Sequence, residues 1–337
     1  MSKDYLLGID IGTSACKVAI FNKNGKVMAS ANGDYPVYYP HEGWAQQKPD
    51  EWWHAVCGAI CECLETGNIS GEQIAGVGID GQSWSAIAID HEGNVLTDTP
   101  IWMDTRAQEI CDRLNNEIGS ENIFNVAGNS LQPSYTTAKI LWYKENMPEV
   151  YNKIYKILQS NSFIAYRLTG AITQDLSQGY GLHCFDMRTG TWDEVMCEKM
   201  GIPVDFLPEI VACDKVVGTV TEEAAAQSGL TVGTPVVAGG MRHVRSRSHP
   251  SGGDPGAGWT GWWHEHLHRY IQSRSKSDLR LSRSARQVAS SGRNYRRRRC
   301  HALAGKGIWR LGTRGRKAKG RQLSGSDERR GKSNSGG

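Results

Sequence analysis

The sequence lacks an apolar run of about 18 residues, an apolar leader with a cleavage site, and any paired spacing among its nine cysteines. Met1-Ser2-Lys3-Asp4 leads directly into a predicted strand. These absences argue against secretion, against a membrane-spanning segment and against a disulfide scaffold. We therefore expect a cytoplasmic protein with reduced thiols and no membrane partner.

Basic residues are scarce in the first 240 positions, which hold 15 Lys and Arg against 30 Asp and Glu. Positions 241–337 hold 24 against 5, so the overall net charge of +4 averages a body of −15 and a tail of +19. An acidic body is ordinary for a cytosolic enzyme. The tail taken alone suggests a nucleic acid or an anionic membrane as partner.

The amino-terminal pattern predicts an antiparallel meander followed by a helix. Residues 5–11 and 16–21 read as strands, and Asn24-Gly25 is a strong hairpin turn that leads into a third strand. Pro49 begins a helix whose apolar residues follow helical spacing up to Gly67. Residues 74–79 and 84–89 then read as two further strands.

Helical patterns dominate positions 104–169. The clearest segments are 135–144, 148–158 and 160–168, the last of which ends before Gly170. Strand patterns return at 216–220 and 235–238. A meander followed by alternating helices and strands predicts an α/β domain with a mixed sheet.

The regular patterns stop after Gly240. Positions 241–337 contain 19 Arg, 14 Ser and 15 Gly without helical or strand periodicity. This composition predicts a disordered basic tail. We therefore divide the chain into a domain at 1–240 and a segment at 241–337 that forms no native domain.

The heptapeptide Gly8-Ile9-Asp10-Ile11-Gly12-Thr13-Ser14 is a candidate phosphate loop. Backbone N–H groups and hydroxyls in such a turn can hold phosphate oxygens, and glycine lets the main chain approach them closely. A carboxylate at the end of the strand can hold a hydrated Mg²⁺ beside them. The alternative is a plain β-hairpin with an aspartate near its turn.

Four motifs in a fixed order make the chain resemble the FGGY carbohydrate kinases of the actin-like, ribonuclease H-like superfamily, the xylulokinases in particular. They are Asp10-x-Gly12-Thr13-Ser14 with Lys17, Gly43-Trp44-Ala45-Gln46-Gln47 before Pro49-x-x-Trp52-Trp53, Ser134-x-Thr136-x-x-Lys139-Ile140-x-Trp142, and Pro235-Val236-Val237-Ala238-Gly239-Gly240. The resemblance implies a ribonuclease H-like fold and ATP-dependent phosphorylation of a ketose or polyol, with Mg²⁺ as cofactor. It leaves a homodimer of the intact enzyme open.

The resemblance also implies which residues face each substrate. On the ATP side they are Asp10, Gly12, Thr13, Ser14 and Lys17, with Asp10 as the metal ligand. On the sugar side they are Gln82, Ser83, Trp84, Trp102, Asp104 and Arg106. Asp175-x-Ser177 resembles an element that shapes the cleft.

Two sugar-side segments carry alternatives. Xylulokinases usually have Met-His where this chain has Ser83-Trp84, so the resemblance does not fix xylulose as the sugar. Trp84 is either a stacking face for a sugar or a core residue of the next strand. Asp104 either accepts hydrogen bonds from sugar hydroxyls, with Arg106 orienting it, or only stabilises its turn by pairing with Arg106.

The catalytic base implied by the resemblance is absent from the sequence. FGGY kinases carry an aspartate two residues beyond the Gly-Gly that ends at Gly240, where this chain has Arg242. An arginine cannot accept the hydroxyl proton, so we expect the chain as written to be inactive.

A change of reading frame accounts for Arg242 and for the composition of the tail. Tryptophan has the single codon TGG, which reads as glycine one frame on, so Trp259, Trp262 and Trp263 become glycines. Residues 241–248 are compatible with a frame that restores aspartate at position 242. We interpret 241–337 as an out-of-frame translation of the second kinase domain.

Two patterns in the tail resemble binding sites. His264-Glu265-His266-Leu267-His268 resembles a metal cluster, and Arg296 to Arg299 beside Tyr295 resemble a nucleic-acid patch. Because shifted GC-rich DNA yields such residues by chance, we expect no selected nucleic-acid partner. The competing hypotheses are a basic nucleic-acid-binding protein that acts through its tail and a non-kinase relative of the actin-like ATPases.

Overall fold

A computed structural model of the chain describes residues 3–241. The predictions that concern Arg242 and the rest of the tail, including its disorder, its frame and its two binding-site patterns, lie outside these residues. The fold and the two substrate-facing segments lie within them.

The described part contains fifteen strands and nine α-helices. The strands are β1 (Tyr5–Ile11), β2 (Ala15–Asn22), β3 (Val27–Asp34), β4 (Gln46–Gln47), β5 (Ile74–Gly81), β6 (Ile87–Ile89), β7 (Thr99–Pro100), β8 (Lys156–Leu158), β9 (Thr173–Asp175), β10 (Phe185–Asp186), β11 (Thr191–Trp192), β12 (Glu209–Val211), β13 (Val216–Thr219), β14 (Pro235–Val237) and β15 (Gly240–Met241). The helices are α1 (Pro49–Thr66), α2 (Gln108–Leu114), α3 (Ser120–Ala127), α4 (Thr136–Asn146), α5 (Pro148–Tyr151), α6 (Ser160–Thr169), α7 (Leu176–Gly179), α8 (Glu194–Met200) and α9 (Glu222–Ser228).

A seven-stranded mixed sheet organises the domain. Its order is β13-β14-β5-β1-β2-β3, and β15 also pairs with β5 beyond the end of β14. The meander β1-β2-β3 is antiparallel, whereas β5 runs parallel to β1, β14 and β15. The predicted α/β mixed sheet is confirmed, because the sheet contains both antiparallel and parallel strand pairs. The hairpin at Asn24-Gly25 joins β2 to β3 as expected.

Helix boundaries follow local sequence signals. Helix α1 has Pro49 in its first turn and buries Trp52 and Trp53 against the sheet. Helix α6 ends at Gly170, which takes the left-handed conformation with a φ of 76°. The apolar faces of these helices and the sheet form one core, while helices α2, α3, α4 and α8 contribute to a second.

Two local predictions were wrong. The segment 148–158 is helical only from Pro148 to Tyr151, and its second half forms β8, which pairs antiparallel with β6. The strand predicted at 84–89 begins only at Ile87, because the chain turns sharply at Trp84. In both places a tertiary contact overrides the local pattern.

Among residues 3–241, each helix is too short or too polar to cross a membrane.

Candidate functional site

The candidate phosphate loop is a tight turn between β1 and β2. The Gly12 N–H donates to the Ala15 carbonyl at 3.0 Å, and the hydroxyl of Tyr35 donates to the Gly12 carbonyl at 2.8 Å. Gly12 is buried, Thr13 is half-buried and Ser14 is exposed. The turn is therefore held at Gly12, and its exposure increases over the next two residues.

An acidic surface lies beside this turn at the ends of β1 and β5. Asp10 is level with Lys17 on β2 and with Asp80 on β5, and Asp80 is level with Gly240 on β15. Residues opposite each other in a sheet project from the same face, so two carboxylates and one amine share this surface. Asp10 is only 1% exposed.

These carboxylates fit the ligand preference of Mg²⁺. The ion takes hard oxygen ligands and is usually held by one or two carboxylates, with phosphate oxygens and waters completing its shell. Asp10 and Asp80 supply two such groups at one sheet edge. Residues 3–241 contain no cluster of three or more His, Cys, Asp or Glu side chains suited to a metal, so an all-protein cage is not formed there.

The chain returns to this edge immediately before position 242. Gly239 has a φ of 77°, and a β-carbon added there would lie 1.9 Å from the Ile79 carbonyl oxygen, so this close approach requires glycine. The Met241 N–H donates to the Ser177 hydroxyl at 2.8 Å. The last described residue is thus fixed beside the carboxyl end of β5.

Trp84 has a left-handed backbone, with a φ of 63°. Such a conformation costs a bulky residue about 1–3 kcal/mol and persists only where surrounding contacts enforce it. The Gln159 side chain accepts from the Trp84 N–H at 3.0 Å, and the indole packs on Tyr135 with ring centroids 4.1 Å apart and the ring planes tilted by 33°. A β-carbon on Gly181 would lie 2.2 Å from the indole, so Trp84 is packed on that side as well.

Gln82 connects the sugar-side turn to the phosphate loop. Its side-chain amide donates to the Gln47 side chain at 2.8 Å, and Gln47 in turn donates to the Thr13 carbonyl at 2.8 Å. Among the described residues, neither Oε1 of Gln82 nor Nε1 of Trp84 has a hydrogen-bond partner, although both atoms are buried. One buried acceptor and one buried donor therefore lie two residues apart in the sequence, on either side of Ser83.

Asp104 and Arg106 form a buried ion pair. The guanidinium contacts both carboxylate oxygens at 2.8–2.9 Å and also donates to Gln46 at 2.9 Å. The Ala45 N–H donates to the same carboxylate at 2.7 Å, and Trp44 covers the guanidinium at 3.8 Å from its ring centre. The pair is saturated by protein groups, which is the arrangement expected if it stabilises its turn.

Trp102 lies on the open side of this segment and is 42% exposed. Its indole N–H donates to the Thr13 hydroxyl at 3.1 Å. Thr13 is therefore contacted by Trp102 through its side chain and by Gln47 through its backbone. The predicted ATP-side and sugar-side segments lie next to each other at this residue.

The model of the amino-terminal domain of the FGGY family of carbohydrate kinases matches residues 5–246. The chain belongs to this family. It is 31% identical over 236 residues to the xylulose kinase of Bacillus subtilis, a match that covers 70% of this chain and 47% of that protein.

Solved structures of FGGY relatives agree with the fold. The xylulose kinase of Rhodospirillum rubrum superposes with a TM-score of 0.69 at 27% identity, covering 72% of this chain and 50% of the other. The gluconate kinase of Lactobacillus acidophilus gives 0.68 at 26% identity, with coverages of 72% and 49%. The chain therefore spans about half the length of the relatives it matches.

The Asp175 element of this FGGY chain supports the strand that ends at Met241. The Asp175 carboxylate accepts from the backbone of Ser177 and from the side chain of Asn161, and Asn161 also donates to the Ala238 carbonyl at 3.1 Å. Asp175 is buried. That this element shapes the edge of the cleft stays a prediction.

Three residues that contact the site were absent from the sequence-based assignment. They are Gln47, Gln159 and Tyr135, which hold Gln82 and Trp84 from other parts of the chain. Gln47 and Tyr135 lie in or beside motifs that resemble the family. For Gln159, which precedes α6, the sequence offers no comparable signal.

Proposed function

We propose that this chain derives from a kinase that transfers the γ-phosphoryl group of ATP to a hydroxyl of a neutral ketose or polyol, of which xylulose is one example. The observation that carries the proposal is the double contact at Thr13, which joins the candidate phosphate loop to Trp102 and, through Gln47, to Gln82. Phosphoryl transfer depends chiefly on positioning and on charge stabilisation, so the two substrates must meet at one place.

On the ATP side, the backbone N–H groups and hydroxyls of Gly12, Thr13 and Ser14 would bind phosphate oxygens, with Lys17 beside them. Asp10 would hold the metal, with Asp80 close by in register. When bound, Mg²⁺ offsets the charge of the transferring group.

On the sugar side, Gln82 and Ser83 would hydrogen-bond hydroxyls and Trp84 would offer part of its indole to the apolar face of the ligand. The cations nearby are engaged elsewhere, since Arg106 binds Asp104 and Gln46. Among the described residues this favours a neutral sugar over an acid sugar. Asp104 stays a predicted sugar contact, although its geometry favours the structural role.

We further propose that the chain as written is inactive. Position 242, directly after the anchored Met241, holds arginine where the family's base is expected, and the frame interpretation explains why. The boundary predicted at 240 then stays a proposal, in which the chain up to there is the sugar-side domain; β15 extends the sheet to Met241 and the family match runs to residue 246.

A coupled ADP-release assay on two proteins tests both proposals. The 337-residue chain should release no sugar-dependent ADP with any pentulose, hexulose or alditol. A chain whose reading frame is restored at the Gly240 codon should phosphorylate at least one of them at a rate on the order of 1–100 per second. Activity of the 337-residue chain would overturn the proposal that it is inactive. A folded, frame-restored chain without activity would overturn the proposal that it derives from a sugar kinase.

A further inference from the structure

One face of helix α4 donates hydrogen bonds to three consecutive carbonyl groups of the segment that follows Ser83. The donors are Lys139 to Trp84 at 2.8 Å, Thr136 to Ser85 at 3.2 Å and Tyr143 to Ala86 at 2.8 Å. Positions three or four apart lie on the same side of a helix, which is why these three side chains reach one stretch of chain.

Lys139 makes more of these contacts than its neighbours on the helix. Its amine donates to the carbonyls of Trp84 and Ile101, both at 2.8 Å, and to that of Ser134 at 2.7 Å. The residue is fully buried. An ammonium group has three N–H donors, and here each has one carbonyl acceptor.

The three acceptors belong to three separate segments of the sugar-side surface. The first is Trp84 itself, Ile101 immediately precedes Trp102, and Ser134 immediately precedes Tyr135, on which Trp84 packs. The Nζ atom of Lys139 therefore connects the backbone segments that carry Trp84, Trp102 and Tyr135.

We propose that Lys139 is a positioning residue that fixes Trp84 and Trp102 relative to each other, and thereby determines the shape of the sugar-side surface. The left-handed backbone of Trp84 needs an external restraint, and Lys139 supplies one at its carbonyl while Gln159 supplies one at its N–H. The positioning itself follows from the contacts, while its consequence for sugar rests on the proposed function.

Burial of Lys139 opposes its charged form, and the titratable groups around it act in both directions. Burial lowers the pKa of Lys139 to about 7, while Asp104 raises the pKa and Arg106 lowers it, with Cys111 as the other titratable group that faces it. Burying the charged form of a lysine costs desolvation free energy, and a methionine would fill the same position without that cost.

The test replaces Lys139 by Met, which keeps the stem and removes the donors, in the full 337-residue chain labelled with 5-fluorotryptophan. ¹⁹F resonances of Trp84 and Trp102 are assigned by substituting each with Phe. Both should move or broaden in Lys139→Met, while those of Trp52 and Trp53, which α1 packs against the sheet, should stay in place. Unchanged Trp84 and Trp102 resonances in the folded variant would overturn the proposal.

Two control variants separate positioning from general effects. Lys144→Met makes the same chemical change at an exposed position of α4 and should leave all four resonances unchanged. Tyr143→Phe removes the buried bond to Ala86 and should lower stability without moving Trp102. If Tyr143→Phe displaced Trp84 and Trp102 as much as Lys139→Met does, a general loss of packing would replace the proposal.

A second variant covers the case in which Lys139→Met does not fold. Lys139→Arg keeps the charge, but a planar guanidinium cannot direct three donors at carbonyls arranged around one nitrogen. We expect a folded chain with displaced Trp84 and Trp102 resonances. If the Trp84 and Trp102 resonances of Lys139→Arg stayed at their wild-type positions, the proposal would be overturned, as it would be by the same result in Lys139→Met.

Sugar titration of the same labelled proteins keeps the two proposals distinguishable. If wild type binds a ketose or polyol, Lys139→Met should raise the dissociation constant by about tenfold and Lys144→Met should leave it unchanged. If wild type binds none of the sugars while Lys139→Met still displaces both resonances, the positioning stands and the assigned function fails. An unaltered dissociation constant in Lys139→Met would remove the claim that the positioning serves sugar binding.

Discussion

The two sides of the site are built in different ways. The phosphate loop is one short turn between adjacent strands: its own backbone closes it at Gly12, and the side chains of Tyr35, Gln47 and Trp102 contact it from outside. The sugar-side surface gathers residues from distant parts of the chain, and Lys139, Gln159 and Gln47 hold it through side chains. A local turn forms the first, whereas long-range side-chain contacts define the second.

This difference has a consequence for variation between relatives. A turn made of backbone groups has few side chains to exchange, so its chemistry is the same whichever sugar is bound. On the sugar-side surface, the residue at position 84 can be exchanged while the side chains that support it, Tyr135 and Lys139, stay the same. We therefore expect changes on the sugar side to alter preference and changes on the phosphate side to abolish turnover.

The largest effect is expected on the phosphate side. In the frame-restored protein, Asp10→Ala should lower kcat on the order of 10²- to 10³-fold with little change in the KM for sugar, because charge on the transferring group is no longer offset. Replacing the aspartate newly encoded at position 242 should act in the same way. Steady-state kinetics decide this, with the exposed Asp34→Asn as control. An unchanged kcat in Asp10→Ala would refute the loop assignment.

The buried ion pair on the sugar side offers the largest expected change in stability. Arg106→Met leaves the fully buried Asp104 carboxylate without its cation and should cost about 3–5 kcal/mol of unfolding free energy. Arg113→Met breaks an exposed pair with Glu145 and should cost less than about 1 kcal/mol. Urea denaturation of the 337-residue chain measures both. Equal losses would mean that the buried pair does not support this surface.

His183 gives the same side of the site a dependence on pH. Burial lowers the pKa of His183 from 6.5 to about 4, so in the window between these values the unfolded chain binds a proton that the folded chain does not. Stability should therefore fall as the pH falls from 6.5 to 4, by about 3 kcal/mol.

Denaturation midpoints measured across this window test that expectation. His183→Asn keeps an acceptor for the Thr137 hydroxyl, which lies 2.9 Å from the ring nitrogen of His183, and should flatten the profile. If His183→Asn lost as much stability between pH 6.5 and 4 as the wild type does, other titratable groups would be responsible for the pH dependence.

Substitutions of Trp84 should have the smallest effects and separate binding from backbone strain. In the frame-restored protein, Trp84→Ala should raise the KM for sugar by about three- to tenfold or change which sugar is preferred, with a smaller effect on kcat. Trp84→Gly should be more stable than Trp84→Ala by about 1 kcal/mol, because glycine accepts the φ of 63° without strain. If alanine proved the more stable, the left-handed backbone would not be a constraint at this position.

Local signals predicted much of the fold, and the order of the motifs predicted the family. The hairpin at Asn24-Gly25, the start of α1 at Pro49 and the end of α6 at Gly170 each depend on neighbouring residues and are confirmed. The order of the motifs indicated the family, which the match over residues 5–246 confirms. The individual ATP-side and sugar-side assignments stay predictions.

The features that the sequence did not reveal depend on contacts between distant segments. Residues 156–158 form a strand because β6 is available beside them, although their pattern alone favours a helix. Trp84 leaves the predicted strand because Gln159 and Lys139 hold its backbone on both sides. Pairings of this kind arise from the fold as a whole, so periodicity and turn residues do not report them.

Sugar binding at the turn that contains Trp84 is tested most directly by titrating the labelled 337-residue chain with ketoses, alditols and aldonates. We expect the ¹⁹F resonances of Trp84 and Trp102 to shift saturably with at least one neutral ketose or alditol, and those of Trp52 and Trp53 to remain fixed. Aldonates should bind more weakly. The absence of any saturable shift at Trp84 and Trp102 with every neutral sugar, or a shift only with aldonates, would contradict the assignment of this surface.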